Sequence, residues 1–213
     1  MIRSYAILLT VVAAFLLGLQ VGPIEDPPDR PPFSPRVAEF EGLTEPVDIV
    51  LLGDSLTDHG RWSELLKVSF ANRGIGGDRV GMATRRAEHL PEGPIYVMLG
   101  INDLAAGVGI KQIAKDYRAL LTALEGRDIT VQSVLGPGHL PVRELNRDLQ
   151  ELAAEMGADY MDLTPILGDP LKYTYDGIHL TSDGYRLWAE ALNESMAATD
   201  QVSSLTVQSR SPE

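Results

Sequence analysis

Short apolar runs alternate with amphipathic stretches along most of the chain, and this alternation predicts the fold. The apolar runs are typical of strands buried on both faces of a parallel sheet. The five predicted strands are Val47–Leu52, Val68–Asn72, Pro94–Leu99, Ile129–Leu135 and Ala158–Leu163. Helical patterns separate them, most clearly between Ile110 and Leu124, where apolar residues recur along one helix face.

Further helices are predicted between the other strands. They cover Arg61–Lys67, Asp78–Leu90, Pro141–Met156 and a last segment from Ser182 to about Met196. Strands that alternate with helices imply an α/β fold, a three-layer α/β/α sandwich around a five-stranded parallel sheet. Functional groups of such folds gather at the carboxyl ends of the strands.

The first 22 residues differ from the rest of the chain. Arg3 precedes an apolar run from Tyr5 to Val21, which predicts an uncleaved signal anchor or, as the alternative, a cleaved signal peptide. With the positive charge retained inside, the rest of the chain is expected to be exported. It would be membrane-anchored, or secreted or periplasmic if the segment is cleaved.

The anchor segment is followed by a stretch rich in proline. Residues 23–46 hold seven of the fourteen prolines, which predicts an extended linker. The folded domain is then expected to occupy residues 47–198. Residues 199–213 are polar and aperiodic, and are predicted to form a disordered tail.

Composition narrows the function classes. With 44% hydrophobic and 23% charged residues, the 213-residue chain has the composition of a folded protein. Its net charge of −12 argues against nucleic-acid binding, which needs a basic face. The absence of cysteine excludes disulfides and thiolate chemistry, and four scattered histidines do not suggest a metal site. These counts therefore predict no metal site.

The first candidate for chemistry is Ser55, in the run Gly53-Asp54-Ser55-Leu56-Thr57 directly after the first predicted strand. A serine hydroxyl becomes a nucleophile only beside a base that takes its proton. The alternative is that Ser55 caps the following turn, as serine commonly does. Ser55 alone does not separate these two interpretations.

A possible base lies before the last predicted helix, in Asp176-Gly177-Ile178-His179. Across a turn of this length the Asp176 carboxylate can reach the near ring nitrogen of His179. That hydrogen bond would leave the far nitrogen as an acceptor and stabilise an imidazolium. The alternative is a solvated loop in which Asp and His occur together by chance.

Two further blocks follow strands and could stabilise negative charge. Asn102, in Gly100-Ile101-Asn102-Asp103, could donate its amide to an oxyanion, or could simply hold a turn. Gly76 lies in the glycine-rich run from Arg73 to Asp78, where backbone N–H groups can approach a ligand closely. Its spacing matches neither a dinucleotide fingerprint nor a phosphate loop.

The order of the four blocks carries more information than any one of them. Together they resemble the GDSL/SGNH hydrolase family, in which Ser, Gly, Asn and His come from four blocks in this order. The resemblance covers about residues 47–197. The residues of the blocks are most similar to those of the branch of platelet-activating-factor acetylhydrolase catalytic subunits. It implies a flavodoxin-like SGNH hydrolase fold.

The resemblance also implies roles for each residue. Ser55 would be the nucleophile, His179 the base, and Asp176 the group that orients His179. The oxyanion hole would comprise the backbone N–H groups of Ser55 and Gly76 with the side chain of Asn102. The implied activity is that of a serine esterase acting on small-molecule, glycan or lipid acyl esters, and it requires no metal or cofactor.

The substrate is less specified than the reaction. Without a segment long enough for a lid, the domain is expected to have an open site that suits short acyl esters of carbohydrates or lipids. Lysophospholipase or thioesterase activity is an alternative, as is a cell-surface O-acetyltransferase with the same triad. A non-catalytic glycan-binding module is a third alternative.

Other polar residues near the blocks receive simpler interpretations. Asp54 could brace the turn around Ser55 or cap the next helix, and Asp103 could orient Asn102 or begin a helix. His139 is expected in an exposed loop, with a substrate groove as the alternative. Three arginines are expected on a solvated face, namely Arg73, Arg85 and Arg86.

Overall fold

A computed structural model of the chain describes residues 35–41 and 43–208. Its centre is a five-stranded sheet with all neighbouring strands parallel, in the order β2-β1-β3-β4-β5. This confirms the predicted fold class. The strands are β1 Ile49–Gly53, β2 Phe70–Gly74, β3 Ile95–Met98, β4 Ile129–Gln132 and β5 Asp159–Met161.

Helices connect the strands and cover both faces of the sheet. The helices predicted at Ile110–Leu124 and Pro141–Met156 are found almost as expected, because their apolar faces pack on the sheet. The helices are α1 Pro35–Glu41, α2 Ser55–Asp58, α3 Trp62–Leu65, α4 Val80–Thr84, α5 Ile101–Ala105, α6 Ile110–Ala123, α7 Val142–Met156, α8 Thr164–Leu167, α9 Pro170–Tyr173 and α10 Ser182–Gln208.

The central strand β1 contributes to an apolar core on each side of the sheet. Val50 and Leu52 pack in one core with residues of α6 and α7. Ile49 and Leu51 pack in the other core with Trp188 of α10. Because successive side chains of a strand point to opposite faces, a strand covered on both faces is apolar throughout.

The strand register brings three carboxyl ends together at one edge of the sheet. Gly53 at the end of β1 is level with Gly74 of β2 and with Met98 of β3. Three of the four motif blocks begin within a few residues of these positions. The register therefore places Ser55, Gly76 and Asn102 at the same edge.

The prediction of an extended linker over residues 23–46 is wrong for the last part of that range. Residues 35–41 form α1, and Phe40 of this helix is buried. The guanidinium carbon of Arg73 lies 4.7 Å from the centre of the Phe40 ring, and Arg36 forms an ion pair with Asp58 at 2.9 Å. These contacts make α1 part of the folded domain, which therefore begins before residue 47.

The last helix is longer than predicted. α10 continues past Met196 to Gln208, so that the predicted tail, residues 199–213, is wrong for residues 199–208. Neither glycine nor proline occurs between residues 197 and 208 to end the helix. Residues 209–213 lie outside the described residues.

The predicted signal anchor and the first part of the linker also lie outside the described residues, and export of the domain stays a prediction. Within the part of the chain that the structure describes, no helix is both long enough and apolar enough to cross a membrane.

Candidate active site

Ser55 lies in the tight connection between β1 and α2. Asp54 caps α2, since its side chain accepts a hydrogen bond from the backbone N–H of Leu56 at 2.9 Å. A side chain could not be added at Gly53, because its Cβ would collide with the Thr57 side chain and with the Met98 carbonyl. The capping role that was the alternative for Ser55 is thus taken by Asp54.

The Ser55 hydroxyl faces the His179 imidazole. Ser55 Oγ lies 2.9 Å from His179 Nε2, and His179 Nδ1 lies 2.6 Å from Asp176 Oδ2. The other carboxylate oxygen of Asp176 accepts from the backbone N–H groups of His179 at 2.7 Å and Ile178 at 3.0 Å. A carboxylate on Nδ1 leaves Nε2 as an acceptor facing the hydroxyl, which is the arrangement a general base needs.

The Asp176 carboxyl group is held in its charged form. Burial alone would raise its pKa, but hydrogen bonds from the His179 ring and from the backbone N–H groups of His179 and Ile178 outweigh burial. The net effect lowers the pKa of Asp176 below its ordinary value. The carboxylate can therefore balance a positive charge on the neighbouring imidazole at neutral pH.

A closed turn carries Asp176 and His179. Thr174 and Leu180 pair as an antiparallel bridge, and the Tyr175 N–H donates to the His179 carbonyl at 3.0 Å. Gly177, at the tip, has φ of +89°, a conformation that favours glycine. The turn thus fixes the two side chains relative to each other before any ligand binds.

Gly76 lies beside Ser55, and Asn102 is held to the end of the glycine-rich run that contains Gly76. A Cβ built on Gly76 would be 3.9 Å from the Ser55 Cβ, so the two residues are immediate neighbours. Asn102, in the first turn of α5, donates its side-chain amide to the Asp78 carbonyl at 2.9 Å. Among the described residues no acceptor is paired with the backbone N–H of Ser55 or Gly76. Both N–H groups are free to meet a ligand oxygen.

Two of the three arginines predicted on a solvated face are buried. Arg86 donates to the Asp78 carboxylate at 2.7 and 3.0 Å and to the carbonyls of Gly53 at 3.2 Å and Arg73 at 2.7 Å. The prediction is therefore wrong for Arg86 and Arg73, whereas Arg85 is exposed. The carbonyls at the strand ends need donors, and Arg86 turns inward to supply them. The Arg86 side chain thus links the connection after β1, which carries Ser55, to the loop after β2, which carries Gly76.

Arg86 also interrupts a predicted helix. The segment Asp78–Leu90 forms the short helix α4 and a separate 3₁₀ turn, Ala87–His89, instead of one helix. No spacing rule in the sequence indicates an arginine that binds strand-end carbonyls.

Two buried aspartates lie near Ser55: Asp54, directly before it in the chain, and Asp103. Burial raises the pKa of Asp54 to about 7, aided by the nearby Asp78 and Asp103 charges and opposed by the Leu56 hydrogen bond. Burial also raises the pKa of Asp103 to about 6. Asp103 accepts from the Val80 N–H at 3.2 Å, so it holds the start of α4.

We expect the Asp54→Asn variant to become more stable relative to the wild type as pH rises. A carboxyl whose folded pKa lies above its unfolded value stabilises the fold below the unfolded value and loses that contribution as pH rises through the folded value. For Asp54 this window extends from an ordinary pKa of 3.8 to about 7. Melting temperatures of the variant and the wild type, compared from pH 4 to pH 8, should diverge in favour of the variant.

The matched control for this prediction is Asp159→Asn, because Asp159 is an exposed aspartate at the edge strand β5. Its melting temperature relative to the wild type should stay level across the same range. A constant difference for Asp54→Asn would contradict the assignment.

His59 is a neighbour of the site that sequence reasoning missed. Its ring centre lies 5.3 Å from that of His179. The available signal was its position one helical turn after Ser55, since the His59 N–H donates to the Ser55 carbonyl at 3.0 Å. His139 lies, as predicted, in an exposed loop after β4.

A cleft of about 780 Å³ borders the turn that carries Asp176 and His179. It lies over the carboxyl ends of β4 and β5, and its lining includes Thr174 and Leu180, which pair at the base of that turn. Residues of both charges and several apolar residues line it, among them Leu140, Arg143, Glu144, Arg147, Tyr160 and Asp162.

Solved structures with the same fold support the architecture. A protein from Streptococcus pneumonia described as a candidate platelet activating factor is 21% identical, with a TM-score of 0.69 over 76% of this chain and 91% of that chain. A lipase/acylhydrolase from Enterococcus faecalis is 18% identical, with a TM-score of 0.61 over 71% and 96%. A catalytic mutant of an acetylxylan esterase from Geobacillus stearothermophilus is 16% identical, with a TM-score of 0.60 over 72% and 95%. At these identities the likeness shows a shared fold.

The family assignment comes from the sequence model. A comparison with curated protein sequences found no match. The model of the GDSL-like lipase/acylhydrolase family matches residues 51–187, from β1 into α10, well over half of the chain. The chain therefore belongs to the GDSL-like lipase/acylhydrolase family and is a carboxylic ester hydrolase.

Proposed function

We propose that the chain is a serine esterase that hydrolyses short-acyl esters through an acyl-enzyme on Ser55. The observation that carries this proposal is the continuous line of contacts from Ser55 Oγ to His179 at 2.9 Å and on to Asp176 at 2.6 Å. A nucleophile, a base and a group that orients the base are thus in contact in the order that covalent acyl transfer requires.

The proposed reaction has two half-reactions. Ser55 Oγ attacks the acyl carbon while its proton passes to His179 Nε2, and the carbonyl oxygen becomes an oxyanion. His179 then gives this proton to the alcohol oxygen as the carbon–oxygen bond to the leaving alcohol breaks. Water next attacks the Ser55 ester with His179 as the base, and the acid departs as Ser55 regains its proton.

The oxyanion of each step is proposed to bind between Ser55, Gly76 and Asn102. The adjacency of Gly76 to Ser55 and the unpaired N–H groups of both support this role. The Asn102 amide is already oriented by its hydrogen bond to the Asp78 carbonyl. Donors held in place before the reaction stabilise the transition state because they need no reorganisation.

We expect Asn102→Ala to lower kcat by roughly 10²- to 10³-fold with little change in KM, since the oxyanion contact belongs to the transition state. Steady-state kinetics on p-nitrophenyl acetate measure this. The matched control is Asn193→Ala, in which the lost amide donates to the Leu65 carbonyl away from the site. An increase in KM alone would argue against the oxyanion role of Asn102.

The cleft beside the turn that carries Asp176 and His179, here called the catalytic turn, favours a polar substrate. Two arginines, Arg143 and Arg147, are offset by Glu144 and Asp162, so the lining has no excess charge to bind a phosphate. Its lining combines apolar residues with polar and charged ones, as sites that bind polar organic molecules do. A short acyl ester of a carbohydrate suits this mixture best.

A series of p-nitrophenyl esters from acetate to palmitate tests the acyl preference. We expect kcat/KM to be highest for acetate or propionate and to fall as the chain lengthens, because added methylene groups would lie against the charged residues that share the cleft lining. Acetylated oligosaccharides should also be hydrolysed. A maximum at long acyl groups would contradict the proposal and favour lysophospholipase or thioesterase activity, and transfer of acetyl to an added glycan exceeding hydrolysis would favour an O-acetyltransferase.

A further inference from the structure

The catalytic turn contains an exposed aromatic residue for which the proposed mechanism has no use. Tyr175 directly precedes Asp176 and is 67% exposed. Its ring lies parallel to the His179 imidazole, with ring centres 5.8 Å apart and planes 18° apart. Its place in the fold is not set by core packing, because the ring is exposed and its aromatic contact is with the candidate base.

The backbone of the turn fixes this stack. The Tyr175 N–H donates to the His179 carbonyl at 3.0 Å, so the two residues lie opposite each other across the turn. The flanking Thr174–Leu180 bridge holds both strands of the turn, and the Gly177 N–H donates to Thr174 Oγ1 at 3.0 Å. The backbone of the turn therefore holds Tyr175 beside His179, where the two rings stack.

We propose that Tyr175 is a positioning residue for His179, whose ring holds the imidazole plane toward Ser55 and stabilises the imidazolium formed when His179 takes the Ser55 proton. This inference rests on the proposed function. Asp176 contacts the imidazole at Nδ1 and Ser55 contacts it at Nε2, so both contacts are at the ring edge and neither is on a ring face. Tyr175 covers a face of the ring, where the negative face of an aromatic group attracts a cation.

The other aromatic neighbour of His179 does not duplicate this role. The His59 ring is tilted by 32° from the imidazole plane. Burial and the proximity of His179 lower the pKa of His59, although the Asp58 and Asp176 charges act in the opposite direction. His59 is thus neutral at neutral pH, and burial with the Asp176 charge raises the pKa of Tyr175, which keeps its phenol neutral as well.

The test compares Tyr175→Phe, Tyr175→Leu and Tyr175→Ala with the wild-type full chain. The readouts are the second-order rate constant for labelling by diisopropyl fluorophosphate, kcat and KM on p-nitrophenyl acetate, and the melting temperature. We expect the Ala and Leu variants to lose about tenfold in labelling rate and kcat at unchanged KM. The Phe variant, which keeps the ring, should retain the wild-type rates.

Leu171→Ala is the matched control, because Leu171 is 93% exposed and lies four residues before Tyr175. It should leave the labelling rate and kcat unchanged. If the Ala variant has a lower melting temperature, the Leu variant still tests the inference, because leucine fills the space of the tyrosine without supplying a ring.

Several outcomes would overturn the inference. Wild-type rates in the Ala and Leu variants would mean that the ring does not position His179. An equal loss in Phe and Ala would assign the effect to the hydroxyl, and a rise in KM at unchanged labelling rate would assign it to substrate contact. By contrast, a wild-type chain that the reagent does not label would contradict the proposed function itself.

Discussion

Replacing Ser55 with alanine is expected to lower kcat for p-nitrophenyl acetate by about 10⁶-fold and to abolish covalent labelling by a fluorophosphonate. The Ser55 hydroxyl is 2.9 Å from the imidazole nitrogen that would take its proton. Without this oxygen no acyl-enzyme forms, and only the weak catalysis by the oxyanion donors remains. Intact mass after labelling, together with steady-state kinetics, measures both effects.

The fold should survive this substitution. Asp54 and not Ser55 caps α2, so alanine removes no hydrogen bond that holds the connection after β1. The melting temperature should therefore stay close to that of the wild type. Ser63→Ala is the matched control, because Ser63 is an exposed serine on α3. This variant should be labelled at Ser55 and should hydrolyse the ester at the wild-type rate.

Two results would argue against Ser55 as the nucleophile. A Ser55→Ala chain that still hydrolysed esters at the wild-type rate would assign the chemistry to another group. A wild-type chain that neither reacted with the fluorophosphonate nor hydrolysed any ester would favour the non-catalytic glycan-binding module.

The architecture could be predicted from the sequence because it depends on patterns that follow from burial. β1 lies between two helical layers, so Ile49–Gly53 is apolar throughout, and the amphipathic α6 shows its buried face in the spacing of its apolar residues. Parallel strands also place their carboxyl ends at one edge. This is why blocks as far apart in sequence as Ser55 and His179 could be expected to meet.

The parts that sequence reasoning missed depend on individual side chains in the third dimension. Arg86 is buried because strand-end carbonyls and Asp78 need its donors, which no helical or strand period indicates. Phe40 is buried because its ring packs on Arg73, more than thirty residues later in the chain. Such contacts link residues with no common periodicity, so the linker and the solvated face are among the predictions that failed.

Asp176→Asn is expected to lower kcat by about 10⁴-fold while leaving KM nearly unchanged. The asparagine carbonyl can still accept from the backbone N–H groups of His179 and Ile178, as Asp176 Oδ1 does at 2.7 and 3.0 Å. Its amide group would then face His179 Nδ1 and donate to it. This forces the proton onto Nε2, so that the ring presents a donor where Ser55 needs an acceptor.

The lost charge adds to the effect of the wrong tautomer. Hydrogen bonds that outweigh burial hold the pKa of Asp176 low, so the wild-type group is a carboxylate that stabilises the imidazolium. The variant offers only a neutral dipole at the same place. Asp183→Asn, which changes an exposed aspartate at the start of α10, is the matched control and should keep the wild-type kcat.

Fluorophosphonate labelling separates the role of Asp176 from that of Ser55. The Asp176→Asn chain keeps its nucleophile, so it should still be labelled completely, but much more slowly than the wild type. No labelling after long exposure would mean that Asp176 does more than orient and support His179. A wild-type kcat in this variant would show that the contact at 2.6 Å has no part in catalysis.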